Sequence, residues 1–210
     1  GVEELIKTLQ ASGVQVHFFN VNAADAEKRK EVLDKVQPKL GGAIVNILMH
    51  SLAFGTLKPY LTADPKDQLN KDQMEMTIDV MGNSLVYWTQ DLVTRKLIGK
   101  GSRIYAMTSS GGTRVWPHYG AVSAAKAALE SHIRQLAMEL APYGASANTI
   151  RAGVTDTPAL RKIPGNDHMI KVATERNPFH RLTTTEDVAK TIATLSVDGT
   201  EWVTGNVIGV

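Results

Sequence analysis

A tyrosine and a lysine stand at a spacing that could support proton transfer. Tyr119 and Lys126 are seven residues apart in a segment rich in Ala, Leu and Met that predicts a helix over 119–141. At 100° per residue, seven steps nearly complete two turns, so both side chains would share one face about 10 Å apart along the axis. A nearby ammonium favours phenolate and makes the phenol a better proton donor. Such a pair suits hydride transfer from a nicotinamide, which needs an acid or an oxyanion stabiliser at the substrate oxygen.

Two serines could complete this arrangement. Ser109 and Ser110 directly follow an apolar run that predicts a strand over 103–107. Ligands in open α/β sheets bind at the carboxyl ends of strands, which favours a functional role for these hydroxyls. The alternative is that they only cap the strand or the following loop, and most Tyr–Lys pairs on one helical face are surface or packing residues.

The elements that would position these residues alternate between strand and helix. Apolar runs predict strands over 14–19, 43–49, 103–107, 146–151 and 206–210. Helical patterns cover 3–11, 24–40, 72–97, 119–141 and 183–195, the last opened by a capping box, Thr183-Thr-Thr-Glu186. This alternation predicts an α/β fold, a Rossmann-like doubly wound parallel sheet with helices on both faces, as a single domain over 1–210.

The start of the chain departs from that pattern. A Rossmann-type sheet needs a first strand, a glycine-rich turn, a helix and a second strand. The sequence opens on a helix and holds no G-x-G-x-x-G. We therefore expect a truncated chain whose N-terminal strand–helix–strand is missing; the alternative is a smaller, complete α/β fold.

Composition excludes several other classes. The 210 residues carry a net charge of +2 with dispersed basic residues, so no nucleic-acid partner is expected. No apolar run approaches the roughly 18 residues of a membrane span, and no signal peptide opens the chain, so a cytoplasmic location is predicted. The chain has no cysteine, and its six histidines show no close ligand pair, so no metal site is expected.

Taken together, these motifs resemble the short-chain dehydrogenase/reductase family. The resemblance rests on Met107-Thr-Ser-Ser110, the Tyr119–Lys126 pair, Asn148-Thr-Ile-Arg-Ala-Gly153 and Thr157. In typical members the tyrosine lies four residues before the lysine, and this chain has Val122 at that position. The seven-residue step instead resembles the enoyl-[acyl-carrier-protein] reductase branch. Further segments similar to that branch are His50-Ser-Leu-Ala-Phe54, Asp79, Glu186-Asp-Val188 and the closing run over 203–210.

The resemblance implies an NADH- or NADPH-dependent reductase of 2-enoyl thioesters, carried by acyl-carrier protein or CoA, in fatty acid synthesis. Tyr119 would hold the thioester oxygen as an enolate develops, and Lys126 would bind the nicotinamide ribose. Ser109 stands where many enoyl reductases have a second tyrosine. The predicted cofactor-binding residues, besides Tyr119 and Lys126, are Asn20, Val21, Ser51, Leu52, Ala53, Thr108, Ala152, Gly153, Val154, Thr155 and Thr157. Residues 156–172 would form a substrate-covering lid, and the helix over 119–141 would pair with its copy in a homodimer or homotetramer.

Three other functions stay open. A carbonyl or 3-oxoacyl reductase of the same family differs from the favoured reading by one branch-specific spacing. A serine acyl-enzyme is suggested by Ser123-Ala-Ala-Lys126, although neither S-D-N nor K-T-G occurs. A non-catalytic, nucleotide-binding relative is the third, since fold does not imply function. The sequence does not distinguish NADH from NADPH.

Overall fold

The computed structural model describes residues 1–158, 160–163 and 165–210. Contacts divide the chain into two compact units, Gly1–Gly41 and Gly42–Val210. The prediction of a single domain over 1–210 stays a prediction. Of the residues in the predicted lid, Ala159 and Pro164 lie outside the described residues.

The first unit consists of two helices and the segment that joins them. Helix α1 covers Val2–Ala11, and helix α2 covers Ala26–Val36 and continues into a 3-10 turn at Gln37–Leu40. Asp25 caps α2 by accepting a hydrogen bond from the Lys28 amide at 2.9 Å. The predicted strand over 14–19 is wrong, because this segment has no regular structure. A strand needs a ladder partner, and the described residues of this unit include no other strand.

The second unit is built on a four-stranded parallel sheet. The strands are β1 (Ile47–His50), β2 (Arg103–Thr108), β3 (Ser146–Arg151) and β4 (Val207–Gly209), and they lie side by side in chain order. The nearly continuous apolar runs predicted these strands, because a parallel strand is buried on both faces. The predicted parallel α/β fold is confirmed. Since all four strands run the same way, their carboxyl ends meet at one edge.

In the part of the chain that the structure describes, five α-helices connect or flank these strands. They are α3 (Lys71–Ile78), α4 (Ser84–Thr94), α5 (Gly120–Leu140), α6 (Asn166–Arg176) and α7 (Thr185–Thr194). The long helix predicted over 72–97 is interrupted, since a π turn at Asp79–Asn83 joins α3 to α4. Among the described residues, no helix is both long and apolar enough to cross a membrane.

Helix α5 covers one face of the sheet and α7 covers the other. Because successive strand side chains point to opposite faces, even-numbered β2 residues face α5 and odd-numbered ones face away from it. Thr108 accordingly bonds to Glu130 on α5. Tyr105, with 1% of its side chain exposed, donates its hydroxyl to the Leu195 carbonyl at the end of α7, at 2.7 Å. The helices on both faces were predicted from the alternating pattern.

The capping box of α7 lies one residue later than predicted. Thr184, not Thr183, is the N-cap, and it exchanges hydrogen bonds with Asp187 rather than Glu186. Arg181 fixes this choice, because its guanidinium binds the Asp187 carboxylate at 2.6 and 3.0 Å. That pairing holds the pKa of Asp187 well below its usual range. Thr183 is instead buried.

Candidate active site

Three loops meet at the carboxyl edge of the sheet, one after each of the first three strands. The loop after β1 begins at Ser51, the loop after β2 begins at Ser109, and the loop after β3 begins at Ala152. Helix α5 begins next to this edge, with Tyr119 as its N-cap, one residue after the predicted start. The sequence-predicted candidates of this unit therefore fall on a single edge of the sheet.

Lys126 is buried behind this edge and connects β2 to the loop after β1. Its Nζ donates to the Met107 carbonyl at 2.7 Å and to the Leu52 carbonyl at 3.4 Å. Only 5% of the residue is exposed, and burial lowers the pKa of Lys126 to about 8. An ammonium has three donors, so one N–H remains beyond these two acceptors among the described residues. That donor could bind a ligand hydroxyl.

The side chains of Tyr119 and Ser109 lie within hydrogen-bonding distance of one another. The Tyr119 hydroxyl donates to Ser109 Oγ at 3.4 Å, and Ser109 Oγ also accepts from the Gly111 amide at 3.0 Å. The tyrosine ring lies against Gly111, where a Cβ would overlap it. It is half-buried on a cluster of Met81, Val122 and Ala125. The cluster and the glycine together fix the plane of the ring.

The competing residues of the same helix occupy other environments. Val122 stands where typical members of the family have the tyrosine. It is 5% exposed and belongs to the apolar cluster, so this position is part of the core. Ser123 was weighed as an acyl-enzyme nucleophile with Lys126 as its base. In the described part of the chain, the acceptors of Lys126 Nζ are the two backbone carbonyls, and Ser123 is not one of them. The hypothesis of a serine–lysine dyad therefore has no geometric support.

The loop after β1 presents Ser51 and Ala53 at the surface, with Leu52 half-buried. His50, the last residue of β1, is 5% exposed, and its Nε2 lies 2.8 Å from Ser84 Oγ. Burial, and then the nearby Lys126 cation, lower the pKa of His50 to about 4. A neutral imidazole at this position avoids a second buried cation next to Lys126. The histidine is thus a buried residue of the core, hydrogen-bonded through Nε2.

The loop after β3 holds the remaining candidates of this unit. Gly153 donates its amide to the Val210 carbonyl at 2.7 Å, while Ala152, Val154 and Thr155 are half-buried. Thr155 donates its hydroxyl to the Gly153 carbonyl at 3.0 Å. These bonds shape the loop and leave the predicted cofactor contacts as predictions.

Thr157, the second residue of the predicted lid, lies shortly before a 3-10 helix at Leu160–Lys162. Its Oγ1 accepts from the Leu160 amide at 3.2 Å. Asp156 forms two hydrogen bonds with the Arg161 guanidinium, at 2.7 and 2.6 Å, and this contact holds the pKa of the carboxyl below its usual value. The lid predicted over 156–172 therefore starts in a locally fixed turn. Helix α6, which was not predicted, continues to Arg176, past the predicted end of the lid.

Asn20 and Val21 belong to the first unit and are described within it. Asn20 is exposed, Val21 is half-buried, and neither lies in a helix or strand. Their predicted contact with the cofactor stays a prediction. Among the described residues there is no group of three or more His, Cys, Asp or Glu side chains that could hold a metal ion.

Sequence reasoning missed one buried acid at the site. Glu130 is 9% exposed and accepts a hydrogen bond of 2.6 Å from Thr108 Oγ1. Thr108 is a predicted cofactor contact, and this bond directs its hydroxyl proton into the fold. The available signal was the position of Glu130, four residues after Lys126 and therefore on the same helical face. A charged residue among Ala, Leu and Ile on a core-facing stripe indicates a specific partner.

A parallel sheet with a tyrosine, a lysine and a serine at its carboxyl edge defines the class of the short-chain dehydrogenase/reductases. A family model described as Enoyl-(Acyl carrier protein) reductase matches residues 1–210. The chain belongs to this family.

Individual relatives agree with the family model. An enoyl-[acyl-carrier-protein] reductase [NADH] of Aquifex aeolicus is 31% identical over 173 residues, covering 79% of this chain and 60% of the relative. A 1-cyclohexenylcarbonyl-CoA reductase of Streptomyces collinus is 37% identical over 116 residues, covering 54% of this chain and 41% of the relative. The chain thus spans three fifths or less of the length of these two relatives.

The solved structures include a similar fold. The crystal structure of the Bacillus cereus enoyl-acyl carrier protein reductase, with NADP+ and indole naphthyridinone, superposes with a TM-score of 0.86 at 27% identity. The superposition covers 100% of this chain and 78% of that one. The Rossmann-like fold predicted from the sequence is confirmed by this likeness.

Proposed function

We propose that the protein reduces the carbon–carbon double bond of 2-enoyl thioesters with NADH or NADPH. The observation that carries the proposal is the convergence of Tyr119, Ser109 and Lys126 at one sheet edge. The Tyr119 hydroxyl donates to Ser109 at 3.4 Å, and the Lys126 ammonium is fixed behind the same strand end. Membership of the enoyl-(acyl-carrier-protein) reductase family and the named activities of the relatives support the same reaction.

The residues suit a nicotinamide nucleotide. The third N–H of Lys126 is a donor for a ribose hydroxyl, and the loops after β1 and β3 offer backbone groups at the same edge. When bound, the nucleotide supplies the hydride. Tyr119 then places an O–H donor at the thioester oxygen as negative charge develops there, which stabilises the enolate. Ser109 orients the phenol, because its Oγ is fixed by the Gly111 amide.

The test compares Tyr119→Phe with the unchanged full-length protein. Oxidation of NADH and of NADPH is followed with a 2-enoyl thioester, presented on acyl-carrier protein and on CoA. We expect Tyr119→Phe to lower the rate by roughly 10²–10⁴, as removal of an acid–base group does. Tyr143→Phe is the matched control, because Tyr143 is 46% exposed beyond the end of α5, and its rate should equal that of the unchanged protein.

Equal rates for Tyr119→Phe and Tyr143→Phe would remove Tyr119 from the mechanism. Absence of nucleotide oxidation with every enoyl thioester, in a protein that binds NADH or NADPH, would favour the non-catalytic relative. Preference for a 3-oxoacyl thioester over the enoyl thioester, measured side by side as kcat/KM, would identify the carbonyl reductase instead.

The carrier of the acyl group is also part of the proposal. The name of the Aquifex aeolicus relative specifies acyl-carrier protein, whereas that of the Streptomyces collinus relative specifies CoA. Comparing kcat/KM for the same acyl chain on the two carriers decides between them. A homodimer or homotetramer, a role in fatty acid synthesis and a cytoplasmic location also stay predictions.

A further inference from the structure

Three successive residues at the end of β2 are bonded to one helix. Met107 bonds through its backbone carbonyl, and Thr108 and Ser109 bond through their hydroxyls. Their partners are side chains of α5 and of its N-cap, Tyr119. The pairs are Met107–Lys126 at 2.7 Å, Thr108–Glu130 at 2.6 Å and Ser109–Tyr119 at 3.4 Å. Two of these pairs belong to the proposed reaction, and the middle one has no part in it so far.

Helical geometry places the three side chains of α5 on one line. At 100° per residue, Lys126 lies about 20° to one side of Tyr119 and Glu130 about 20° to the other. The end of β2 therefore faces a stripe that carries a phenol, an ammonium and a carboxylate. The phenol and the ammonium donate hydrogen bonds to the strand end, and the carboxylate accepts one from it. A shift of the strand end relative to the helix would disturb all three contacts together.

The Thr108–Glu130 bond is enclosed by protein. Thr108 is 7% exposed and Glu130 is 9% exposed, so water contributes little to either group. A carboxylate in such a place is costly unless it is hydrogen-bonded, and bonds to charged groups are the stronger ones. The contact therefore resists displacement more than a neutral surface contact would.

The same acid also lies beneath the loop that carries Ser109. A Cβ built on Gly112 would lie 3.6 Å from Glu130 Oε1 and 3.5 Å from Lys126 Cβ, so a side chain at this position would be in van der Waals contact with the helix. The neighbouring Gly111 contacts the Tyr119 ring. Tyr119 and Glu130 thus both contact the first residues of the loop after β2.

We propose that Glu130 is a positioning residue, which fixes the end of β2 so that Ser109 and Lys126 stay aligned with Tyr119. The inference rests on the proposed function and adds to it a residue that contacts neither substrate nor nucleotide. Glu130 acts as the acceptor of the Thr108 hydroxyl, so the requirement is for an acceptor oxygen at this point.

Two substitutions separate the acceptor from the side chain's bulk. Glu130→Leu removes the acceptor, whereas Glu130→Gln keeps an amide oxygen in its place. We expect Glu130→Leu to lower kcat by between about tenfold and a hundredfold, because small misplacements of reacting groups have effects of that size. The KM for NADH should change less than threefold, and Glu130→Gln should recover most of the lost kcat. Glu139→Leu is the matched control, since Glu139 is an exposed acid of the same helix.

A second measurement does not depend on turnover. Amide hydrogen exchange of peptides over 107–119 should accelerate in Glu130→Leu and stay unchanged in Glu130→Gln and Glu139→Leu. Thr108→Val removes the same bond from the other side, so its effect on exchange should not add to that of Glu130→Leu in the double variant. This variant replaces Glu130→Leu in the exchange assay if the latter does not fold.

Each result distinguishes the two proposals. If the unchanged protein has no reductase activity but exchange over 107–119 still accelerates in Glu130→Leu, then Glu130 fixes the end of β2. Its role in this reaction would nevertheless be overturned. Reductase activity that Glu130→Leu leaves at the level of Glu139→Leu would overturn the inference and leave the proposed function intact. A loss in Glu130→Gln as large as in Glu130→Leu would also overturn it, because an acceptor oxygen alone would then not suffice.

Discussion

Lys126→Met removes an ammonium that the fold buries between β2 and the loop after β1. Burial lowers the pKa of Lys126 from 10.5 to about 8, and each unit corresponds to 1.36 kcal/mol. The folded state therefore disfavours the charged lysine by about 3 kcal/mol relative to the unfolded chain. Methionine has a similar length and no charge, but the Met107 and Leu52 carbonyls lose a donor, at about 1 kcal/mol each. We expect the variant to be about 1 kcal/mol more stable at pH 7.

The pH dependence gives the sharper test. Below pH 8 lysine is protonated in both states, so the full cost of burying the charge is present. Between pH 8 and 10.5 the unfolded chain keeps this proton and the folded protein has lost it. Folded protein then binds fewer protons, and the free energy of unfolding rises by about 1.4 kcal/mol per pH unit. Lys126→Met lacks this rise, so the stability difference should move by about 2 kcal/mol in favour of the unchanged protein by pH 9.5.

Urea unfolding followed by circular dichroism at pH 7, 8, 9 and 9.5 measures the difference. Other titrating groups are common to both proteins, so their contributions cancel. Lys190→Met is the control, because the Lys190 side chain is 75% exposed and its removal should leave the pH profile of stability unchanged. Parallel profiles for the unchanged protein and Lys126→Met would refute the burial of a cation at this position. The same variant should lose NADH oxidation at every pH.

Two further predictions concern the loop and the sheet. Gly111→Ala should lower the reductase rate at least tenfold, because a Cβ there would overlap the Tyr119 ring. Gly112→Ala should not lower the rate, because a Cβ there would have ordinary contacts. Equal rates for the two variants in a steady-state NADH assay would contradict this prediction. Asn148→Ala should lower the free energy of unfolding by roughly 2–4 kcal/mol, because the buried amide bonds a carbonyl and an amide of the turn before β4 at 2.7 and 3.1 Å; a change below about 1 kcal/mol in urea unfolding would contradict that account.

Local patterns predicted most of the sheet and its helices. The run over 146–151 and the helix over 119–141 were placed within a residue or two, since apolar continuity and helical periodicity follow directly from which faces are buried. The prediction of a strand over 14–19 was wrong because β propensity depends on the surroundings of a segment. An apolar run becomes a strand only when another strand lies beside it.

The site divides along similar lines. Tyr119 and Lys126 could be found from sequence because one helix carries both, and Ser109 because it follows the adjoining strand. Glu130 was missed because its partner, Thr108, lies 22 residues away along the chain. His50 likewise meets Ser84 at a separation of 34 residues, across the π turn that interrupts the predicted helix.

What the sequence determined by itself is most of the helices and strands and the spacing of the phenol and the ammonium, since both depend on residues close together in the chain. Only the tertiary structure decided which threonine caps α7, which carbonyls hold Lys126 and that a buried carboxylate supports the strand end. Those choices follow from contacts between distant segments. Burial then gives them their strength, because a hydrogen bond or a charge acts more strongly where water is excluded.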